Sequence, residues 1–394
     1  MTSITPYISQ DTAPGELQDA IMELWRLDAA LNSSIPASLR HPMVYLLRVV
    51  NSFYSNKIEG NPTHPADILH AQEEGPQPKP SDALLEIKRH VEVQTRLANL
   101  DITKERVISN EFLLDIHSNF YEALPDTFLN IENPDTQEII RLVPGKFRDR
   151  TVKVGQHIPP EAEELPGYLN WFQSAYNPTK IHGTARILAA AASHHRLMWI
   201  HPFLDGNGRV GRLFTDNYLQ VSGLSGYGLW SISRGFGRNT KAYYDALSAA
   251  DTPRQGVTDG RGILSDKGLL KFTEYFIETA LDQVKYFSSL LEPQKLRERI
   301  EVYFEMRARG VLTNSRGELL TPLKPEAKQI YNQLLYSGAK TRPELMESLG
   351  VSERTLRTII SQMEEAGLVK APAKQPITLS LSPSSIELLF PHLW

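Results

Sequence analysis

Five side chains suited to phosphate chemistry fall between His201 and Arg212: His201, Asp205, Asn207, Arg209 and Arg212. An alanine-rich apolar run ends near Ile200, and Pro202 drives the residue before it out of helical geometry. Asp205-Gly-Asn-Gly supplies residues that tolerate unusual φ angles. From Arg209 a new apolar face begins with Val210, Leu213, Phe214 and Leu219. A loop rich in backbone N–H groups therefore runs into a helix N-terminus, which is an anion-binding arrangement. Arg209 and Arg212 are three apart and share roughly one helix face. Asp205 is a hard oxygen ligand of the kind Mg²⁺ takes beside substrate phosphates. His201 titrates near neutrality when unperturbed and can serve as a base. Asn207 can donate to a phosphate oxygen.

Other sites are excluded by context. Gly206, Gly208 and Gly211 match a dinucleotide-binding glycine pattern, but a helix precedes them rather than a strand. Asp205, Asn207 and Asp216 partly imitate a calcium loop, but Arg209 and Val210 occupy the positions that defeat it. His194 and His195 lie on an otherwise apolar helix and read as packing residues rather than zinc ligands. A plain helix-connecting turn would leave the histidine, the aspartate and both arginines unexplained.

The elements that must hold this loop are mainly helical. Leu17, Ile21, Leu24, Leu27 and Leu31 recur at helical spacing, and Val44, Leu47, Val50, Tyr54 and Ile58 do so after Pro42. Gly60-Asn-Pro62 stops the second helix. Gly75–Pro80 reads as a loop, and helices resume at Asp82–Leu97 and Asn110–Ala123. Residues 124–158 fit a short β-hairpin, with Thr151-Val-Lys-Val-Gly alternating and Pro159-Pro160 ending it. Helices follow through Leu247, broken at 201–208, and again at Phe272–Leu291. The tail reads as helices at Glu326–Tyr336, Arg342–Leu349 and Glu353–Ala366, then a wing over Leu368–Leu381.

The chain has 394 residues, of which 41% are apolar and 22% charged, with a net charge of −4. That predicts two or three soluble domains and no general attraction to nucleic acid or anionic membrane. Absence of cysteine excludes disulfides, thiolate metal sites and a cysteine nucleophile, and suits a reducing compartment. The N-terminus lacks the features of a signal peptide, and no stretch approaches a membrane span, so the expected location is cytoplasmic. Residues 325–394 balance seven Lys/Arg against seven acids, which is poor for binding DNA phosphates. A DNA-binding regulator is the rival reading; target docking or self-association as a homodimer fits the tail better.

His201-Pro-Phe-Leu-Asp-Gly-Asn-Gly-Arg-Val-Gly-Arg212 resembles the Fic signature, H-x-F-x-[D/E]-G-N-G-R-x-x-R, at every specified position. Gly145-Lys-Phe-Arg148, Val152-Lys-Val-Gly155 and Ile158-Pro-Pro160 resemble the flap that precedes it in that family. Ser55-Asn-Lys-Ile-Glu-Gly60 resembles the inhibitory motif [S/T]-x-x-x-E-[G/N]. The class implied is that with an N-terminal inhibitory helix. The expected fold is a Fic-type helical core with a β-hairpin flap and a small C-terminal winged-helix α+β domain. The implied division is 1–84 with the inhibitory helix, 85–291 as catalytic core, 292–324 as connector and 325–394 as the winged-helix-like domain.

The resemblance further implies transfer of AMP from ATP to Ser, Thr or Tyr hydroxyls of a target protein or of the chain itself. His201 would be the base and Asp205 the Mg²⁺ ligand. Asp205–Arg212, with Gly206, Asn207, Gly208, Arg209, Val210 and Gly211 between, would bind the triphosphate. Val154, Gly155, Gln156 and His157 would lie against ATP. Tyr243, Tyr244 and Asp251 fall at the distance of the adenosine-end residues. Ser55 and Glu59 would restrain the enzyme, Glu59 by pairing with Arg212. Removal of AMP and use of another nucleotide are the alternatives within the family.

Overall fold

The helix that ends at the loop is mostly apolar, with Ser193, His194, His195 and Arg196 set among alanine, leucine and isoleucine. In the computed structural model, Ile187–Leu197 of this helix is buried along its whole length. The structure describes residues 4–61, 63–65, 68, 81–132, 137–155, 157–314, 317–381 and 383–394. The expected Gly75–Pro80 loop, Pro62 and Gln156 lie outside them.

The elements run α1 (Gly15–Ser34), α2 (Ala37–Ile58), α3 (Asp82–Ala98), α4 (Asn110–Tyr121), β1 (Asn130–Glu132) and β2 (Ile139–Arg141). Then come α5 (Leu165–Ala175), α6 (Ala185–Ile200), α7 (Asn207–Val221), α8 (Ile232–Arg238), α9 (Thr240–Asp251) and α10 (Asp266–Leu290). The tail carries α11 (Pro293–Arg309), α12 (Glu326–Ser337), α13 (Arg342–Leu349), α14 (Glu353–Glu365), β3 (Val369–Lys370), β4 (Thr378–Leu379) and α15 (Pro383–Leu389). The fold is mainly helical, with two small antiparallel sheets among the described residues. No helix there is long and apolar enough to cross a membrane.

Two compact units emerge. One is built from Met1–Ala29, Asn51–His64 and Gln77–Val284. The other is built from Ala30–Val50, Pro65–Pro76 and Lys285–Trp394. In the first unit α7 packs closely on α6. Gly211 permits the approach, since a Cβ there would fall 2.0 Å from Met198 Cε. A polar stripe on α3 at i, i+4 and i+8 faces α2. His90 Nδ1 meets Ser52 Oγ at 2.9 Å. Asn51 Nδ2 donates to Gln94 Oε1 at 2.8 Å, and Asn61 Nδ2 to Glu86 Oε2 at 3.0 Å.

Several elements differ from the sequence reading. Helix α2 begins at Ala37 and runs through Pro42. Proline there loses one backbone bond, and buried Leu39, Met43, Leu46 and Val50 hold the helix on both sides. The paired strands of the hairpin region are β1 and β2, in register Ile131↔Ile140, while Val154 and His157 form an isolated bridge around Gly155 at φ 60. Pro159 and Pro160, which lack an N–H, cannot extend that bridge into a ladder. Within the expected connector, Pro293–Arg309 is a helix, with Pro293 at its first turn and Gly310 closing it in the left-handed region.

The second unit's sheet pairs Val369 with Leu379 and Lys370 with Thr378, and Lys340 bridges Ile377. Its helices are cut by local chemistry. Thr341 and Glu344 form a capping box on α13, Gly350 ends that helix in the left-handed region, and Ser352 caps α14.

Candidate active site

Two left-handed residues shape the turn between α6 and α7. His201 terminates α6 at φ 51, and Gly206 precedes α7 at φ 80. Glycine is required at 206 twice over: by its φ, and because a Cβ would fall 2.8 Å from the Tyr121 hydroxyl. Asn207 closes the loop like a clasp. Its Oδ1 accepts the Phe203 N–H and its Nδ2 donates to the Phe203 carbonyl, both at 2.9 Å. The Asn207 amide, expected to meet phosphate, is thus committed to holding the loop, and its side chain is buried. The first-turn N–H groups of α7 have no partner within the helix, as at any helix start.

The His201 ring is fixed by a backbone bond. Its Nδ1 lies 3.3 Å from the Met198 carbonyl oxygen. A carbonyl only accepts, so the neutral ring carries its proton on Nδ1 and leaves Nε2 as the acceptor. Burial lowers the imidazole pKa to about 4, with Arg148 and His157 pushing the same way against the Met198 bond. Arg148, from the Gly145-Lys-Phe-Arg stretch, staples the turn by donating to the His201 carbonyl at 2.8 Å and to the Pro160 carbonyl. Phe203 stacks on His117 with centroids 4.1 Å apart, and His117 Nδ1 accepts the Gly145 N–H at 2.9 Å. The Gly145–Arg148 stretch and the 201–206 turn are therefore one packed assembly.

Both arginines of the loop are held by carboxylates. Arg212 is 1% exposed. Its Nε donates to Ser55 Oγ at 2.8 Å, and its Nη2 donates to Glu59 Oε1 at 2.6 Å and to the Ser55 carbonyl at 2.9 Å. Glu59 also lies against the start of α7: a Cβ on Gly208 would fall 2.0 Å from Glu59 Oε1. Arg209 Nη1 donates to Glu86 Oε1 at 2.5 Å, and its Nη2 reaches the Tyr121 hydroxyl at 3.2 Å and Asp205 Oδ2 at 3.3 Å. Tyr121 in turn donates to Asp205 Oδ2 at 2.6 Å. Burial would raise the Asp205 carboxyl, but Arg209, Tyr121 and the Gly206 N–H outweigh it and hold it below the usual range.

The remaining expected residues are spread more widely. Val154 is exposed at 41%, beside Gly155 in the tight turn, and His157 Nε2 lies 2.8 Å from the Trp199 carbonyl oxygen. Of the residues expected with the triphosphate, Val210 is buried on the apolar face that begins there, and a Cβ on Gly211 would abut Met198. Tyr243 is also buried, with its hydroxyl 2.8 Å from His194 Nε2. Tyr244 is 48% exposed and donates to the Ile58 carbonyl at 3.1 Å. Asp251 pairs with His195 Nε2 at 2.9 Å. His194 and His195 are buried, His194 between Thr215 and Tyr243 and His195 against the Leu247 carbonyl and Asp251. Sequence reading missed Glu86, His117 and Tyr121, which lie far from the motif in sequence. Arg148 was visible within the flap pattern, but without its partners.

Among the described residues, no group of three or more His, Asp or Glu is placed to hold a metal by itself. Asp205 offers one half-exposed carboxylate, which fits a cation bound jointly with a nucleotide's phosphates.

The Fic/DOC family model matches residues 107–219. A protein adenylyltransferase Fic of Nematostella vectensis is 30% identical over 177 residues, 43% of this chain and 37% of that protein. The counterpart of Aedes aegypti is 36% identical over 107 residues, 27% of this chain and 20% of that protein. The chain thus spans well under half the length of these relatives. The structure resembles a Fic family protein from Desulfovibrio desulfuricans G20, with a TM-score of 0.53 and 16% identity, over 96% of this chain and 98% of that one. It also resembles a Fic domain containing signaling protein from Bacteroides thetaiotaomicron, with a TM-score of 0.51 and 19% identity over 68% of this chain and 95% of that one. The fold is that of solved Fic proteins, and the Fic/DOC match at 107–219 contains the whole loop from His201 to Arg212.

Proposed function

We propose that the chain transfers AMP from ATP to a Ser, Thr or Tyr hydroxyl of a protein, itself included, and that Glu59 restrains the reaction. The observation that carries this reading is His201, its Nδ1 tied to the Met198 carbonyl, at a loop that opens a helix N-terminus. In the proposed step the target hydroxyl oxygen attacks the α-phosphorus of ATP. The new O–P bond forms, the bond to the β-phosphate oxygen breaks, pyrophosphate leaves, and the hydroxyl proton passes to His201 Nε2. First-turn N–H groups at Gly206–Gly208 favour the phosphates, and Arg209 and Arg212 would meet their outer oxygens. A Mg²⁺ arriving with the nucleotide, on Asp205, would neutralise phosphate charge. Val154, Gly155, Gln156 and His157 would cover the nucleotide. Tyr243, Tyr244 and Asp251 are proposed for the adenosine end, with exposed Tyr244 the best placed to touch it.

Restraint follows from charge. A carboxylate on Arg212 and against Gly208 removes a phosphate partner and sets a like charge beside it. A displaced α-phosphate costs roughly 100-fold in rate. Auto-modification with labelled ATP, read by mass spectrometry, tests both ideas. Glu59→Gly should gain on the order of 100-fold over wild type. Glu59→Gly/His201→Ala should lose it while still binding ATP. Equal rates in wild type and Glu59→Gly would remove Glu59 as the restraint, and activity in the double variant would remove His201 as the base. A second reading, hydrolytic removal of AMP, draws support from the same Glu59 carboxylate, which could orient a water at Gly208. Residues 325–394 are proposed as a winged-helix-like module for target docking or self-association rather than DNA binding. A cytoplasmic setting fits a chain without cysteine.

A further inference from the structure

We propose that Glu86 is a positioning residue for the nucleotide: it sets the Arg209 guanidinium, separately from the restraint exerted by Glu59. The inference rests on the adenylyltransferase reading of the site. Arg209 is 7% exposed, and its Nε is buried without a hydrogen-bond partner. A cation so far from water must be compensated by carboxylates nearby. Burial would weaken the charge, but Tyr121, Asp205 and Glu86 more than offset this and raise the Arg209 pKa. Of the two carboxylates that touch it, Asp205 is the longer contact at 3.3 Å and already accepts from Tyr121. Glu86 is the short one at 2.5 Å.

The geometry lets Glu86 aim rather than merely neutralise. Its second oxygen accepts from Asn61 Nδ2 at 3.0 Å, and Asn61 Nδ2 is itself tied to the Ala83 carbonyl at 2.9 Å. Glu86 stands one turn into α3, whose start is capped by Ser81. The guanidinium plane is also supported by the Phe120 ring, 4.7 Å from Arg209 Cζ. Carboxylate and ring together orient the planar fork. Glu59 sits differently: it borders Gly208 at the loop, where the nearest atoms to a Cβ are those of Glu59 and Arg212. One carboxylate stands where the nucleotide must go, and the other holds the arginine that receives it.

The test uses full-length protein in the Glu59→Gly background. Glu86→Gln should raise the KM for ATP about tenfold or more, the size of a lost charged hydrogen bond. It should leave kcat within roughly threefold, because Arg209 contributes to binding the outer phosphates. Adding Glu86→Gln to Arg209→Ala should change KM no further, since the two act as one unit. Asn61→Ala, which leaves both charges in place, should raise KM in the same direction by less. In the otherwise wild-type chain, Glu86→Gln should not raise auto-modification. An unchanged KM, additive effects with Arg209→Ala, or a gain of activity in the wild-type background would each overturn the assignment. ATP affinity by calorimetry on the same variants separates the two readings. If Glu59→Gly binds ATP but transfers nothing, the transferase reading fails, and the effect of Glu86→Gln on that affinity still decides the role of Glu86.

Discussion

At the scale of single residues, protonation of His201 governs the proposed step. An imidazolium cannot accept a proton, so activity falls as pH drops through the pKa of the ring. Burial has moved that pKa from the ordinary value to about 4, so the ring is already neutral throughout the physiological range. For the Glu59→Gly chain, kcat/KM should therefore show no His201 inflection between about pH 6 and 8. It should decline only as pH approaches the lowered value. A limb with its midpoint near the unperturbed imidazole value of about 6.5 would mean that the ring is not buried in the working enzyme. Asn207 gives a second lesson at this scale. Its type suggests a phosphate donor, but its amide is used on both sides by Phe203, which keeps the loop closed.

Among the elements, α2 carries the most consequence, because Ser55 and Glu59 lie at its end and their placement depends on what packs along it. The α3 stripe fixes it by hydrogen bonds at Asn51 and Ser52, and at Asn61 just past its end. Helix α8 fixes it by close packing at Gly237, where a Cβ would fall 2.8 Å from Tyr54 Cδ1 and 2.9 Å from the Tyr54 carbonyl oxygen. A methyl group cannot be relieved there by a rotamer change, because backbone blocks it. Gly237→Ala should push α2 away, destabilise the fold by about 1–3 kcal/mol, and loosen Glu59 from Arg212. The expected result is a lower urea midpoint together with auto-modification above wild type. A lower midpoint with unchanged basal activity would show that Glu59 does not depend on this packing.

For the whole molecule, the buried histidines set the response to acid. Burial lowers His90 and His194 to about 3 and His117 to about 4. In the unfolded chain each would take a proton near pH 6.5. Between the two values the unfolded state binds more protons, so stability falls as pH falls through that window. Stability should therefore decline from about pH 6.5 downward, before most carboxylates titrate. Urea midpoints measured from pH 7.5 to 4.5 check this, and a flat profile down to pH 5 would contradict it. His194→Gln should soften the slope without erasing it, since His90 and His117 remain.

The sequence alone determined what is local. The loop His201–Arg212 sets its histidine, aspartate and arginines in contiguous residues, and the caps, glycines and apolar periodicities that begin and end helices act within a few positions. Hence the loop, most helices and the small tail sheet were legible. Tertiary structure decided which atoms of those residues remain free. Gly211 abuts Met198 because α6 and α7 pack closely, and Tyr243 is buried because α9 sets its hydroxyl on His194 and its ring on Phe236. Glu86, His117 and Tyr121 entered the site because α3 and α4 pack beside α7, although each is 80 or more residues from the motif. Pairing beyond the Val154–His157 bridge stops because the next bonded position on that side is Pro159, which has no N–H, so the paired strands of this region are β1 and β2. Contiguous chemistry survives translation along a chain; hydrogen-bond partners and burial depend on distances through space, which only the folded chain fixes.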